Sequence, residues 1–215
     1  MRGAFLFTCA LASSVALAAD AAQDFSATTN PNGVWSYGYA TSLTGTFIPY
    51  TLQLTGTPVA GWGAFTSGDG NPSILKNFSG SSFSFGTVSW NPNQLTMHSG
   101  INGEYSVLRY TSSAAGLFDI TASFEGRDTT STDVHLVVNG AAVWSGNVNG
   151  FLSTAGTQQS LNLIAGDILE LRVGPGGNGF AFDTTGVNLT VVPEPGTLIA
   201  LGLIGLAARR RNRKA

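Results

Sequence analysis

Between Leu117 and Glu125 the sequence reads LFDITASFE, and its alternation is unbroken: Phe118, Ile120, Ala122 and Phe124 fall on one side, Asp119, Thr121, Ser123 and Glu125 on the other. A helix repeats its faces roughly every 3.6 residues, so a period of two makes instead a strand with one buried face. The same grammar recurs downstream. In DVHLVVNGAAVWSG, Asn139-Gly140 separates two β-rich runs, the dipeptide that a tight type I′ turn favours. Val134, Leu136 and Val138 then face the core, and His135 is expected on the opposite face as a half-exposed sheet residue. SLNLIAGDILELRVG predicts another hairpin around Ala165-Gly166-Asp167, with Leu161, Leu163, Leu169, Leu171 and Val173 as core positions. VNLTVV reads as the last strand, and VWSYGYA, TFIPYTLQL, SSFSFGTVSW and EYSVLRYT as earlier ones.

Between Asp24 and Val192 no stretch sustains a capped helical period. Roughly eight to eleven short strands in one block predict an all-β chain: a single β-sandwich, jelly-roll-like, over residues 23–190. No proline-rich linker or composition break divides that block, and its Gly, Ser, Thr and Asn content is the texture of extracellular β-domains. Four basic residues (Lys76, Arg109, Arg127, Arg172) face ten acids between Asp24 and Val192. Nucleic acid is therefore excluded as a partner, because phosphates call for a basic surface. The one cysteine, Cys9, lies in the N-terminal apolar stretch, leaving the rest without disulfide, thiolate ligand or cysteine nucleophile.

The two ends read differently from the middle. MRGAFLFTCALASSVALA has the plan of a secretory signal: Arg2, an apolar core from Ala4 to Leu17, and small residues at Ala16-Leu17-Ala18 for cleavage. Cleavage after Ala21 is an alternative, and the leader is assigned to residues 1–22. At the other end, residues 191–215 read VVPEPGTLIALGLIGLAARRRNRKA. Pro193 and Pro195 break any helix arriving from upstream. The apolar run from Gly196 to Ala208 would be about 20 Å long as a helix, short for a bilayer core of about 30 Å unless its flanks extend it and the arginines snorkel. Arg209, Arg210, Arg211, Arg213 and Lys214 would stay cytoplasmic, so the plan is that of a stop-transfer, transmembrane sorting helix.

Pro193-Glu194-Pro195, the Gly-containing apolar run and the terminal arginines resemble the PEP-CTERM sorting signal of Gram-negative bacteria. The resemblance implies an exosortase as processing partner, a membrane-embedded transpeptidase that recognises this tripartite tail. It implies transient anchoring in the inner membrane and delivery to the cell envelope or the extracellular polysaccharide. A second resemblance lies in the middle. HSGINGEYSVLRYTSSAAGLFDITASFEGRDTTSTDVHLVVNG, followed by LNLIAGDILELRVG, is similar in strand rhythm, NG hairpin and late Gly-Asp turn to jelly-roll modules of the carbohydrate-binding kind. Fold likeness carries no function by itself.

Chemistry is sparse. The sequence holds no G-x-S-x-G elbow, P-loop, strand-borne GxGxxG or HExxH. His98, Asn102 and Glu104 cluster about a Gly-rich turn, a hydrolase site only if a partner acid and an oxyanion donor join them. Glu104, Glu125 and Glu170 are the carboxylates that could pair for glycoside hydrolysis, although a solvated strand face accounts for each. Asp128 and Asp133, with the hydroxyls of RDTTSTD, offer oxygen ligands for calcium, against the simpler account of a solvated turn. Trp35, Tyr37 and Tyr39 share one strand face, either a sugar-stacking platform with Trp62 and Trp90 or, as favoured here, the core face of the first strand. Ligand binding then falls to the loop residues Trp62, Asp69, His98 and Asn102; no catalytic residue and no metal ligand is assigned. The expectation is a noncatalytic exported surface or matrix protein with polysaccharide as candidate ligand, the alternatives being a polysaccharide hydrolase and a structural coat component.

Overall fold

The computed structural model describes residues 17–65 and 70–194. Its elements, in chain order, are β1 (Ala19–Asp20), α1 (Ala21–Asp24), β2 (Trp35–Ala40), β3 (Ile48–Pro49), β4 (Leu52–Leu54), β5 (Val59–Gly63), β6 (Ser73–Asn77) and β7 (Phe83–Phe85). They continue with β8 (Val88–Trp90), β9 (Leu95–His98), β10 (Tyr105–Thr111), β11 (Gly116–Gly126), β12 (Ser131–Val138), β13 (Ala141–Asn149), β14 (Thr154–Leu163), β15 (Ile168–Val173) and β16 (Thr185–Pro193). The larger sheet runs β14-β11-β16-β9-β6-β5-β4, with β1 added beside β16. The smaller sheet runs β13-β12-β15-β10-β2-β3, and β7-β8 form a separate hairpin. The two main sheets face each other as an all-β, jelly-roll-like sandwich, and α1 is a single turn capped by the Asp20 carboxylate on the Gln23 amide.

Strand β11 folds as its alternation dictates. Phe118, Ile120, Ala122 and Phe124 are buried, and Asp119 and Ser123 are exposed. Opposite them stand Leu161 across Phe118 and Val187 across Phe124. The inner face of the smaller sheet supplies Val134, Leu136, Leu169, Leu171 and Val173, all buried. Full burial of each such side chain is worth about 1.5–3 kcal/mol, so this apolar layer, without any disulfide among the described residues, is what holds the domain.

The first aromatic strand belongs to that layer. Trp35 and Tyr37 are buried, Tyr37 at 0% exposure, and Tyr39 is half-buried with its ring stacked on Tyr50 at 5.9 Å. Their polar ends are satisfied inside: Trp35 Nε1 donates to Asp24 Oδ2 (3.1 Å), and the Ser26 amide donates to the Tyr37 hydroxyl oxygen (3.1 Å). Burial pushes the Tyr37 phenol up to about 12.

Several expectations are corrected. Residues 164–167 do not close a hairpin: β14 pairs with β11 in one sheet, and β15 with β10 and β12 in the other. The Gly-Asp turn is real, with Gly166 at φ +94° and the Ile164 amide donating to Asp167 Oδ2 at 2.8 Å, but it carries the chain from one sheet to the other. TFIPYTLQL divides into β3 and β4, which join different sheets. By contrast the Asn139-Gly140 hairpin stands, with φ of +48° and +83° at its two central residues. His135 is buried at 6% exposure rather than half-exposed, and neither Glu104 nor Glu170 has a solvated face. The ladder also reaches beyond residues 23–190, since Ala19 and Asp20 pair with β16 and β16 ends at Pro193.

Candidate functional site

The outer face of the larger sheet carries a roofed groove. Ile74, Leu95 and Met97 point into the sandwich, so by strand alternation Ser73, Leu75 and Thr96 point out. Over this face lies the β7-β8 hairpin, whose two-residue turn opens with Gly86 at φ +60°. Its turn and inner strand are fixed at several points. Trp90 Nε1 donates to Thr96 Oγ1 (2.9 Å), Arg127 Nε donates to the Ser89 carbonyl (2.8 Å), and the Thr87 hydroxyl donates to Asp128 Oδ2 (2.8 Å). The outer strand leaves Phe85 at 76% exposure.

Three adjoining hollows follow this roof. The first, about 920 Å³, lies between β4, β5 and Phe85, with Leu52, Leu54, Thr55 and Leu75 on its walls. The second, about 180 Å³, shares Asn71, Ser73 and Leu75 with the first and passes beside Val88 and Trp90. The third, about 410 Å³, shares His98 and Thr184 with the second and opens between Phe85, Phe180 and Phe182. Among the described lining residues, Asp128 is the one carboxylate. The groove is thus apolar and aromatic with hydroxyls and amides between, and nearly uncharged, the composition of a site for a neutral, hydroxyl-rich ligand.

Of the expected ligand residues that are described, His98 alone lines this groove. It sits half-buried at the end of β9, its Nδ1 within 2.7 Å of the Ser99 carbonyl and its ring edge-on to Phe180 at 6.4 Å. Trp62 is not a loop residue: it lies on β5, faces inward at 8% exposure, and donates to the Ser26 carbonyl (2.7 Å). Asn102 is exposed on a turn, its amide and carboxamide both donating to Glu104. Asp69 lies outside the described residues. Trp90 is buried as the pin of the roof. Sequence reasoning missed Phe85, Phe180 and Phe182 as lining residues; the alternating aromatics of FSFG and GFAF were the available signals, each only one pair long in a Gly-rich segment.

The acidic positions resolve into separate networks. Asp128 and Arg127 are buried, so RDTTSTD is not a solvated turn, and among the described residues no set of three or more His, Cys, Asp or Glu groups is placed to hold a metal. Asp133 accepts from Tyr105 Oη (2.5 Å), His135 Nε2 (2.8 Å) and the Gly176 amide (2.9 Å), while His135 Nδ1 faces Ser145 Oγ at 2.8 Å. Burial pushes the Asp133 carboxyl up, but the bonds from His135 and Tyr105 outweigh it and hold the group at about 2. Asp183, fully buried, behaves oppositely: burial raises it to about 6, and the Ser131 amide and Ser99 hydroxyl offset this only in part. Glu170 lies between Arg109 (2.6 Å) and Arg172 (2.6 Å) on the outer face of the smaller sheet.

The two facing sheets define an all-β, jelly-roll-like sandwich. Residues 191–211 match the PEP-CTERM protein-sorting motif, so the chain carries the tail of an exported, sorted protein. Of that motif, Pro193 is buried at the end of β16 and the Glu194 amide donates to the Leu117 carbonyl (2.9 Å); Pro195, Arg209, Arg210, Arg211 and the expected sorting helix lie outside the described residues. Among the described residues no helix is long and apolar enough to cross a membrane. No curated protein matches the sequence. Similar solved structures include CBM51 from Clostridium perfringens GH95 in complex with methyl-galactose, at 16% identity and TM-score 0.36, covering 57% of this chain and 90% of that one. A family 35 carbohydrate-binding module from Clostridium thermocellum is similar at 14% identity and TM-score 0.35, covering 53% and 87%. TmCBM61 in complex with β-1,4-galactotriose is similar at 14% identity and TM-score 0.40, covering 57% and 82%.

Proposed function

We propose that this is a noncatalytic exported protein of the cell surface or extracellular matrix, delivered by its C-terminal motif, that holds a neutral polysaccharide in the groove beneath the β7-β8 hairpin. An exosortase-type enzyme at the inner membrane processes its tail. The observation that carries the binding reading is the run of three joined hollows edged by Phe85, Phe180 and Phe182, with hydroxyls from Thr55, Ser73 and Thr184 between them. Aromatic faces pack against the apolar faces of sugar rings, and a described lining with one carboxylate and no Lys or Arg suits a ligand without phosphate, sulfate or uronate. Purified chain tested on a panel of neutral and acidic polysaccharides should be retained by neutral ones. Phe85→Ala, at an exposed position, should weaken retention about tenfold while leaving the melting temperature unchanged. Undiminished retention in Phe85→Ala, or preference for acidic chains, would refute the groove as the site.

One observation favours the hydrolase alternative: Ser145, His135 and Asp133 stand in hydrogen-bonded order. Asp133 fixes Nε2–H, which turns the Nδ1 lone pair toward the Ser145 hydroxyl, the relation of nucleophile, base and orienting acid. Ser145, however, is exposed on a sheet-edge strand, and Asp133 is fully engaged by Tyr105, His135 and Gly176. A fluorophosphonate probe decides this reading. Covalent labelling lost in Ser145→Ala would establish a nucleophile, and equal signal in both chains would end the hydrolase reading at this site.

A further inference from the structure

The sandwich guards one flank and leaves the other open. At one side the sheets end in β3, two residues closing on Pro49, and β4, three residues long. Short edges and edge prolines are what keep sheets from pairing with one another. At the other side they end in β13 and β14, of nine and ten residues. These two strands touch, and the chain from Leu136 to Gly166 contains no Asp, Glu, Lys or Arg. An edge this long without a charge or a proline has none of the usual protection.

The register identifies which groups stand open. The Gly126 amide donates to the Ser153 carbonyl, and Phe118 stands opposite Leu161, so the backbone groups of residues 153, 155, 157, 159 and 161 turn toward β11. Those of Thr154, Gly156, Gln158, Ser160 and Asn162 therefore turn away from the sheet, and among the described residues β14 pairs with β11 alone. Five consecutive open donor-acceptor pairs form a template for another strand.

We infer that this flank joins two copies of the chain: β14 pairs antiparallel with β14 of a second copy about a two-fold axis near Gln158, merging the two larger sheets into one. Charge restricts where two copies can meet, and strand symmetry favours a copy as the partner. Residues 19–194 hold all twelve acids of the sequence and only four basic residues, so two copies repel over most of their surface. The uncharged flank is where that repulsion is weakest, and a strand pairing antiparallel with its own copy is self-complementary by symmetry. A neutral polysaccharide has no ladder of amides to match these groups.

The test uses the full chain, solubilised in detergent, in sedimentation velocity across a concentration series. Gln158→Pro deletes one outward amide while sparing the β11 ladder, because that amide does not point at β11. Gln158→Lys with Ser160→Lys sets like charges across the axis and leaves the backbone intact. Wild type should sediment as a dimer, and each variant should shift to monomer, its dimer weakened at least about tenfold, with an unchanged melting temperature. A wild-type chain that stays monomeric at its solubility limit overturns the inference. So does a dimer that survives both variants, which would place the contact elsewhere.

Discussion

Ala19 stands directly opposite Val191 in the larger sheet, and Val191 is the first residue of the sorting motif. The start and the end of the folded chain therefore leave the sandwich side by side. Asp20 strengthens the junction, capping the Gln23 amide (2.9 Å) and accepting from Asn188 Nδ2 (3.2 Å), and the Ala22 carbonyl accepts from the buried Lys76 ammonium (2.5 Å). Leader removal is expected after Ala18, the last small residue of Ala16-Leu17-Ala18, because a cut after Ala21 or Ala22 would strip out this strand and cap. N-terminal sequencing of the exported chain should read Ala-Asp-Ala-Ala; a start at Gln23 would refute the boundary. Deleting residues 19–22 from the mature chain should lower stability by about 2–4 kcal/mol.

At the other terminus the outcome depends on where the chain is cut. A chain ending at Glu194 keeps β16 complete, including the pairing of Phe118 with Pro193. It should melt like wild type yet be found in the medium instead of the surface fraction. A chain ending at Thr190 loses the buried Val191 and with it the pairing to Ala19 of β1. Its melting temperature should fall by about 10 °C. Unchanged surface retention of the Glu194-terminated chain would contradict sorting by the tail.

The aromatic strand gives a sharper test of the core. Tyr37→Ala removes a fully buried ring packed on Phe25 at 4.7 Å, and should destabilise by about 3–5 kcal/mol in chemical denaturation. Phe124→Ala should fall in the same range, because its ring stacks on Trp144 at 5.8 Å. Thr121→Ala, on the solvent side of the same strand as Phe124, should change stability by less than about 0.5 kcal/mol. Wild-type stability in Tyr37→Ala would mean the strand is a surface platform after all.

Asp183 makes stability fall as pH rises. Its folded pKa, about 6, lies above the ordinary aspartate value, so the group favours folding while protonated below about pH 4, and that contribution disappears as pH climbs through 6. Asp183→Asn keeps an acceptor for the Ser131 amide without ever acquiring charge. The variant should match wild type near pH 4 and exceed it above pH 7, by up to about 3 kcal/mol, in urea titrations at both pH values. A variant less stable than wild type at pH 8 would refute this assignment.

What the sequence made legible was whatever rested on periodicity or on turn chemistry. The faces of β11, the Asn139-Gly140 turn and the burial of Trp35 and Tyr37 all follow from local spacing. Sheet membership did not. LNLIAGDILEL has the sequence of a hairpin, yet the strands either side of Gly166 lie in opposite sheets, because the same tight turn serves to reverse a strand or to change layers. Strands β5, β6 and β9 escaped notice because VAGWG, SILKN and LTMH are short and mix Gly, Lys or Met into their runs. The groove was the least legible feature of all. Its floor comes from those overlooked strands, and its aromatic rim comes from residues about 95 positions apart in sequence, Phe85 and Phe180.

β16 lies inside the larger sheet, hydrogen-bonded to β11 along nine residues on one side and to β1 and β9 on the other. Whatever holds the tail therefore grips an interior strand. Tension drawn along that strand runs across its hydrogen bonds, which stand perpendicular to the pull, so the rungs resist together in shear. An edge strand pulled from its end would peel like a zipper, one rung after another. For a chain tethered by its tail on a surface exposed to flow, the point of attachment coincides with the part of the sandwich best built to bear mechanical load.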